Sequence, residues 1–346
     1  MIILGIESTA HTFGVGIVND KGNILANAMD SYQTGEGGMV PEEVVRHHEE
    51  VAEKVLKEAL AEAKAKIALS SLRSDKNVLP NSKGLKPGMS HPEQKEVWEN
   101  IDLIAYSAGP GLDPVLWAGY TKAKEWSKKY NKKLVGINHC AAHLSIGKKI
   151  NNLEDPVYLY VSGVNTQVIV FDGGKYRVMG ETLDIGLGNM LDKFGRLLGL
   201  GFPAGPKIEG LAKKGKYVEL PYTVKGMDVS FSGILTKVKQ LYEQGISKED
   251  LCFSIQETCF AMMTEVSERA LAHTGKKELL LVGGVGANKR FCEMLRIMCE
   301  ERGAKFFKVP MELVKDNGTM IAWEGYLRKD EYGDVGVKTF WRIDEV

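Results

Sequence analysis

One pattern of short strands and polar turns occurs twice in this chain, and few folds accommodate that. Residues 2–8 are apolar enough for a buried strand, then turn through Thr9-Ala10-His11. A second strand follows at 12–18, a break at 19–22, and a third strand at 23–29. The order recurs from Val157: a strand at 157–161, a turn at Ser162-Gly163-Val164-Asn165, a strand at 167–171, the turn Asp172-Gly173-Gly174, and a strand at 175–181. Polar turns between short apolar runs make an antiparallel meander, and its return after 155 residues marks a duplicated unit. Helical stretches follow each meander, so the expected class is α/β with two lobes of mixed sheet. The lobes are set at 1–150 and 151–318, with a C-terminal helix over 319–346 joined to the first. Duplicated lobes of this kind commonly take ligand in the cleft between them.

Between the meanders, residues 41–65 carry an apolar stripe of helical period behind a first-turn proline, Pro41. Residues 70–94 have no such pattern and hold Pro80, Pro87 and Pro92; they read as a flexible surface insertion, either a lid or a tolerated loop. A buried strand at 101–107 leads through Gly109-Pro110-Gly111 into a helix over 115–130, and another strand spans 134–137. In the second half the pattern gives helices near 189–198 and over 251–273. A buried strand at 279–282 runs into Gly283-Gly284, and a strong helix covers 319–327.

The chemistry centres on His139-Cys140-Ala141-Ala142-His143. Histidines four apart share one helix face, so their imidazoles converge without backbone adjustment, as a transition metal requires. A pair of capping or buried histidines fits the spacing as well. Asp316, ahead of the last helix, reads as a helix cap or as an anionic ligand. The tip holding Glu7, Ser8, Thr9 and His11 suits an anion, and the glycines after the 279–282 strand let a ligand approach the backbone.

Composition limits the function classes. The 45 basic and 45 acidic residues cancel, so any nucleic-acid surface must be a local patch. The densest is Lys122, Lys124, Lys128, Lys129, Lys132 and Lys133, either a tRNA phosphate contact or a solvated helix end. Five cysteines without a CxxC form no zinc ribbon; Cys252/Cys259 and Cys292/Cys299, about 10 Å apart if helical, read as core residues of a reducing compartment. No signal region or long apolar span is evident, which gives a cytoplasmic protein without membrane contact as the expectation.

Taken together, Glu7-Ser8-Thr9, Gly109-Pro110-Gly111, Asn138-His139 to His143, Tyr160-Val161-Ser162-Gly163, the Gly/Pro-rich run 199–206, Ser230-Phe231-Ser232-Gly233, Gly283-Gly284-Val285 with Asn288, and Asp316-Asn317-Gly318 resemble the TsaD family. These are the tRNA N6-adenosine threonylcarbamoyltransferases, once described as O-sialoglycoprotein endopeptidases. The resemblance covers nearly the whole chain apart from 70–94, and it is to the archaeal and eukaryotic branch that works in KEOPS complexes. It implies a two-lobed actin-like ATPase fold. It implies one divalent metal on His139, His143 and Asp316 with Tyr160 at the same site, iron by family habit and zinc by donor chemistry. It further implies an adenine nucleotide, threonylcarbamoyl-adenylate or ATP, on Tyr160, Val161, Ser162, Gly163, Val164, Asp192, Gly205, Glu209 and Asn288. The partners implied are tRNA and KEOPS subunits, including a small protein kinase. The reaction implied moves threonylcarbamoyl from the adenylate to N6 of the adenosine beside the tRNA anticodon. No general base follows from the motifs; Glu7 is the candidate.

The chain departs from the family pattern at Val164 and Ala204, where glycine is usual, and at Asp113, where a small residue is usual. A β-branched residue at Val164 would be costly if that backbone needs a positive φ. Three other readings compete: an ATPase or small-molecule kinase of the same superfold, a non-catalytic KEOPS scaffold, and a metalloprotease. The last is disfavoured because Cys140 stands where the HExxH zinc motif has its glutamate.

Overall fold

The structure is a computed structural model and describes residues 1–33, 39–74 and 91–346. The chain divides into two compact units, Met1–Ile146 with Asp316–Arg342, and Gly147–Lys315 with Ile343–Val346.

The first unit opens with β1 (Ile2–Glu7), β2 (Thr12–Asn19) and β3 (Ile24–Ser31). After α1 (Pro41–Ser74) and α2 (His91–Asn100) come β4 (Leu103–Gly109), α3 (Asp113–Tyr130), β5 (Lys133–Asn138) and α4 (His139–Ile150), whose last turn enters the second unit. The sheet order is β3-β2-β1-β4-β5, with the meander antiparallel and β1, β4 and β5 parallel.

The second unit repeats that plan. Its meander is β6 (Val157–Val161), β7 (Thr166–Asp172) and β8 (Lys175–Glu181), followed by α5 (Leu187–Leu197) and α6 (Gly205–Ala212). A small ribbon of β9 (Val224–Lys225) and β10 (Asp228–Val229) precedes α7 (Ser232–Glu243) and α8 (Lys248–Thr274). Then come β11 (Glu278–Val282), α9 (Lys289–Glu301) and β12 (Lys305–Lys308), and α10 (Gly318–Leu327) returns to the first unit. The sheet order β12-β11-β6-β7-β8 is that of the first sheet read from the other edge. The duplication legible in the meanders thus extends to all ten strands of the two sheets.

Each sheet buries its faces under helices. α10 lies directly on β1 and β2: Met320, Ile321 and Ala322 are wholly buried in a cluster with Ile3, Leu103, Ala105 and Val135. The Met, Ile, Leu and Val side chains among these each contribute roughly 1.5–3 kcal/mol of burial. The approach is closer than side chains allow, because a methyl group at Gly5 would overlap the Gly318 carbonyl and one at Gly16 the Thr319 amide. All five cysteines are buried thiols, on α4, α8 and α9.

Three expectations need correction. The helix expected over 41–65 continues to Ser74, and α2 takes up the C-terminal end of the 70–94 stretch; residues 75–90 lie outside the described residues. β12 and the β9–β10 ribbon carried no signal that the sequence reading used. The helix assigned to 319–346 ends at Leu327. Beyond it Gly336 adopts a positive φ, and the backbone donors of Gly333 and Lys338 bond to the carbonyls of Leu134 and Ala108. The tail therefore spends its hydrogen bonds on β5 and β4 and cannot continue a helix.

Candidate metal centre

His139 opens α4 with no loop between it and β5, and Asn138 makes this junction. Its Oδ1 accepts from the Ala141 amide at 3.0 Å, capping the helix, while its Nδ2 donates to the Trp341 carbonyl at 3.1 Å. One helical turn on, His143 meets the first ring edge-on, with centroids 4.7 Å apart. The same device operates at α10. Asn317, not Asp316, is the cap there, its Oδ1 accepting from the Met320 amide at 3.0 Å. Asp316 is thereby released to turn its carboxylate to the histidines: Oδ1 lies 3.2 Å from His143 Nε2 and 3.5 Å from His139 Nε2.

Donor atoms about 2.1 Å from one tetrahedral centre stand about 3.4 Å from each other. The two Asp316 distances match that spacing, and the three donors all lie within 4.8 Å of one another. The donor set therefore fits a first-row divalent ion, and among the described residues it is the one His/Cys/Asp/Glu group that does.

Behind the two histidines sits Glu7, wholly buried at the end of β1. Its Oε2 is 3.0 Å from His139 Nδ1, and its Oε1 accepts from the Thr9 amide at 2.8 Å and the Thr9 hydroxyl at 2.5 Å. A carboxylate on Nδ1 fixes the tautomer that presents the Nε2 lone pair. The electrostatics follow from four titratable groups at one buried point. Burial works against a charged His139, yet the carboxylates of Glu7 and Asp316 outweigh it and raise the ring to about 9. Burial pushes His143 down from its ordinary value. Burial alone would raise Asp316, but His139 and His143 hold it well below the carboxylate range. Two carboxylates here call for a positive charge between them, which a proton on His139 or a metal ion satisfies.

The residues assigned to nucleotide lie in the second unit. Tyr160 and Val161 end β6, buried, with Tyr160 opposite Gln167 on β7 and Val282 on β11. Ser162 to Asn165 form a tight turn closed by the Ser162 amide on the Asn165 carbonyl at 2.8 Å. The Ser162 and Gly163 carbonyls accept from the Gly188 and Asn189 amides of α5. Beside this turn, Gly283 has φ +94°, and a side chain there would run into the Val161 carbonyl. The ends of β6 and β11 thus stand together with glycine-exposed backbone. Asp192 accepts from the Ala204 amide at 2.9 Å, next to Gly205, and burial raises its carboxyl. Glu209 accepts from the Lys289 amide at 3.1 Å, and Asn288 caps α9 while donating to Gln256 at 3.0 Å. Glu209, Gln256 and Lys289 line a cavity of about 480 Å³. Tyr160 belongs to a different unit from the two histidines and Asp316.

The three departures from the family pattern are accommodated locally. Val164 does not take a positive φ, and its side chain is 72% exposed, so the cost feared for a β-branched residue does not arise. Ala204 is buried with its methyl where a Gly195 side chain would otherwise sit. Asp113, at the start of α3, accepts from the Thr339 hydroxyl at 2.7 Å. Within the lysine patch, Lys122 pairs with Glu125 and Lys124 with Asp334. Lys129 and Lys133 stand over the rings of Tyr130 and Tyr332. Thr9, Asn138 and Asn317 stand within motifs legible in the sequence, but residue type and spacing alone give none of them the contacts it makes at this site. The two asparagines carry only a general signal, since asparagine directly ahead of a helix is a favoured cap.

Known proteins resemble this chain throughout. The family profile described as TsaD, tRNA N6-adenosine threonylcarbamoyltransferase, matches residues 93–323. The tRNA N6-adenosine threonylcarbamoyltransferase of Thermococcus kodakarensis is 50% identical over 100% of this chain and 98% of its own. A probable bifunctional tRNA threonylcarbamoyladenosine biosynthesis protein of Methanocaldococcus jannaschii is 48% identical over 94% of this chain and 55% of its own. Among solved structures, HypF of T. kodakarensis superposes with a TM-score of 0.59 at 16% identity, over 95% of this chain and 48% of that one. The last likeness is one of fold and agrees with the duplicated, actin-like lobes expected from the sequence. With half of its residues shared along its full length, this chain belongs to the TsaD family of tRNA N6-adenosine threonylcarbamoyltransferases.

Proposed function

We propose that this enzyme transfers threonylcarbamoyl from threonylcarbamoyl-adenylate to N6 of the adenosine beside the tRNA anticodon, with one divalent metal held by His139, His143 and Asp316. The observation that carries the metal is the convergence of both Nε2 atoms on Asp316 Oδ1, with His139 Nδ1 held from behind by Glu7. Bound there, iron(II) or zinc would supply Lewis-acid polarisation of the carbamoyl oxygen.

The remaining work falls to the chain's own groups. In the transfer, the N6 lone pair forms a bond to the carbamoyl carbon and the bond from that carbon to the phosphate oxygen breaks. The adenylate leaves as its anion, and N6 gives up a proton to solvent or to that anion. Glu7 is a poor base for this proton, because it is wholly buried and both its oxygens are already engaged. It is a positioning residue that orients His139. The glycine-exposed strand ends at 162–164 and 283–284 suit the adenylate phosphate, and Asp192, Glu209 and Asn288 suit its ribose and base. Tyr160 is carried as an additional ligand on the family resemblance alone.

Partner chains of the KEOPS type, including a small protein kinase, and a cytoplasmic location follow from the same reading; no helix among the described residues is long and apolar enough to cross a membrane. The test is transfer of labelled threonylcarbamoyl from the adenylate to tRNA, with and without partner subunits and chelator. Label on tRNA that disappears with chelation supports the reading. Transfer at full rate in the His139→Ala/His143→Ala protein would remove the metal from it.

A further inference from the structure

The tail beyond α10 carries a feature that the chemistry above leaves unused. Residues 338–341 form a turn closed by the Trp341 amide on the Lys338 carbonyl at 3.2 Å. Its flanks are anchored, since Val337 and Trp341 pack against the core of the first unit. Backbone bonds hold it as well: Lys338 donates to the Ala108 carbonyl at 2.7 Å, and Gly111 donates to the Thr339 carbonyl at 3.3 Å. At its apex Phe340 is 90% exposed. A single exposed phenylalanine on a loose loop needs no explanation. This one stands on a turn pinned on both sides.

The pins lead to the metal centre. Asn138, which caps α4 and holds the Trp341 carbonyl, is the residue before His139. The Gly109-Pro110-Gly111 turn that holds Thr339 continues to Leu112, whose amide donates to the Thr9 carbonyl at 2.9 Å, and the Thr9 hydroxyl is 3.3 Å from His139 Nδ1. The surroundings are apolar and carry one ammonium, with the Asp113 carboxylate engaged by the Thr339 hydroxyl. Leu112 is exposed, and so is Trp117, one helical turn from the Asp113 that bonds Thr339. The Lys338 ammonium lies 4.2 Å from the Trp341 ring centroid.

The reaction asks for such a surface. Its acceptor atom is on a base edge, so the adenosine must leave its stack, and a neighbouring base then loses its partner. Proteins hold unstacked single-stranded bases on aromatic faces flanked by cations. We propose that the turn at 338–341 is a stacking platform, on which Phe340 receives a nucleobase adjacent to the target adenosine and Lys338 contacts the backbone phosphate. This rests on the transferase reading given above.

The experiment uses the full metal-loaded chain and an anticodon stem-loop RNA with 2-aminopurine in place of the nucleotide next to the target adenosine. In the wild type, stacking should quench the 2-aminopurine. Phe340→Ala should abolish the quench and weaken binding about tenfold to a hundredfold, the range for one base–aromatic stack, while Phe340→Trp restores both. Lys338→Gln should lower the log–log salt slope of binding by about 0.7–0.9. Melting temperature and metal content of each variant check that the fold persists. Unchanged quench and affinity in Phe340→Ala overturn the platform; so does an RNA-neutral Phe340→Ala that loses a partner protein instead, which would make the turn a protein contact. A wild-type chain that, with its partner subunits added, binds no stem-loop and transfers no threonylcarbamoyl would sink the transferase reading itself, whereas loss confined to the variants leaves that reading intact.

Discussion

Glu7→Gln is a sharp test of how the metal centre is held, because the replacement keeps size and removes one acceptor. The native carboxylate serves two sets of donors, His139 Nδ1 at 3.0 Å on one oxygen and the Thr9 amide and hydroxyl at 2.8 and 2.5 Å on the other. A glutamine has only one acceptor oxygen. If that oxygen stays with His139, the amide nitrogen confronts the Thr9 N–H, leaving a buried donor unsatisfied at a cost of about 1–3 kcal/mol. In a unit of this size that is a fall in melting temperature of about 2–4 °C per kcal/mol. If the amide flips, its N–H₂ faces Nδ1 and selects the tautomer that protonates Nε2, which cannot ligate. Metal affinity then drops by about ten- to a hundredfold, the usual consequence of losing a histidine's orienting carboxylate. Competition titration of the variant with a zinc or iron chelator, paired with melting curves in excess chelator, separates the two branches. A Glu7→Gln protein that melts and binds metal like the wild type would refute the positioning argument.

Three further outcomes are expected. His139→Ala/His143→Ala should bind no stoichiometric metal yet keep its secondary structure, since α4 keeps its Asn138 cap; retained metal by elemental analysis would place the site elsewhere. Val164→Gly should leave adenine-nucleotide affinity within about twofold by calorimetry, because the residue is exposed and not at positive φ; a marked tightening would mean that the bound loop needs the glycine conformation after all. Burial depresses His48 to about 4 from an ordinary value near 6.5, so the unfolded chain binds this proton first. Its contribution is complete above pH 6.5 and is lost as pH falls toward 4, by about 3 kcal/mol; denaturant titrations of wild type and His48→Gln that show the same acid slope would contradict this.

How far the sequence disclosed this site depended on the range of each interaction. Helix-face spacing made His139 and His143 visible, since period 3.6 is local. The duplicated meander announced both sheets, because alternation and turn residues are also local. Glu7 reads from the sequence as part of an anion-binding tip and as a candidate base, for nothing in residues 2–8 records that its carboxylate meets a ring 132 positions away. Asp316 stayed ambiguous between cap and ligand until Asn317 proved to be the cap. The tail was misread as helix because its hydrogen bonds go to strand-end carbonyls, Leu134 and Ala108, far off in sequence. The worry over Val164 came from identity alone, and the backbone angle that decides it is not written in the residue type.

Gly5, Gly16 and Gly318 bear on the metal centre in a way that side-chain chemistry does not suggest. At these positions α10 rests on β1 and β2 backbone to backbone, with room for a hydrogen and nothing larger. The offset of Asp316, two residues ahead of α10, is therefore set by a mechanical stop of three hydrogens. Such a joint calibrates a ligand to a few tenths of an ångström without touching it. In a survey of inactive variants, methyl groups added at these three glycines would score with the ligands themselves, although none of the three has an atom to offer a metal.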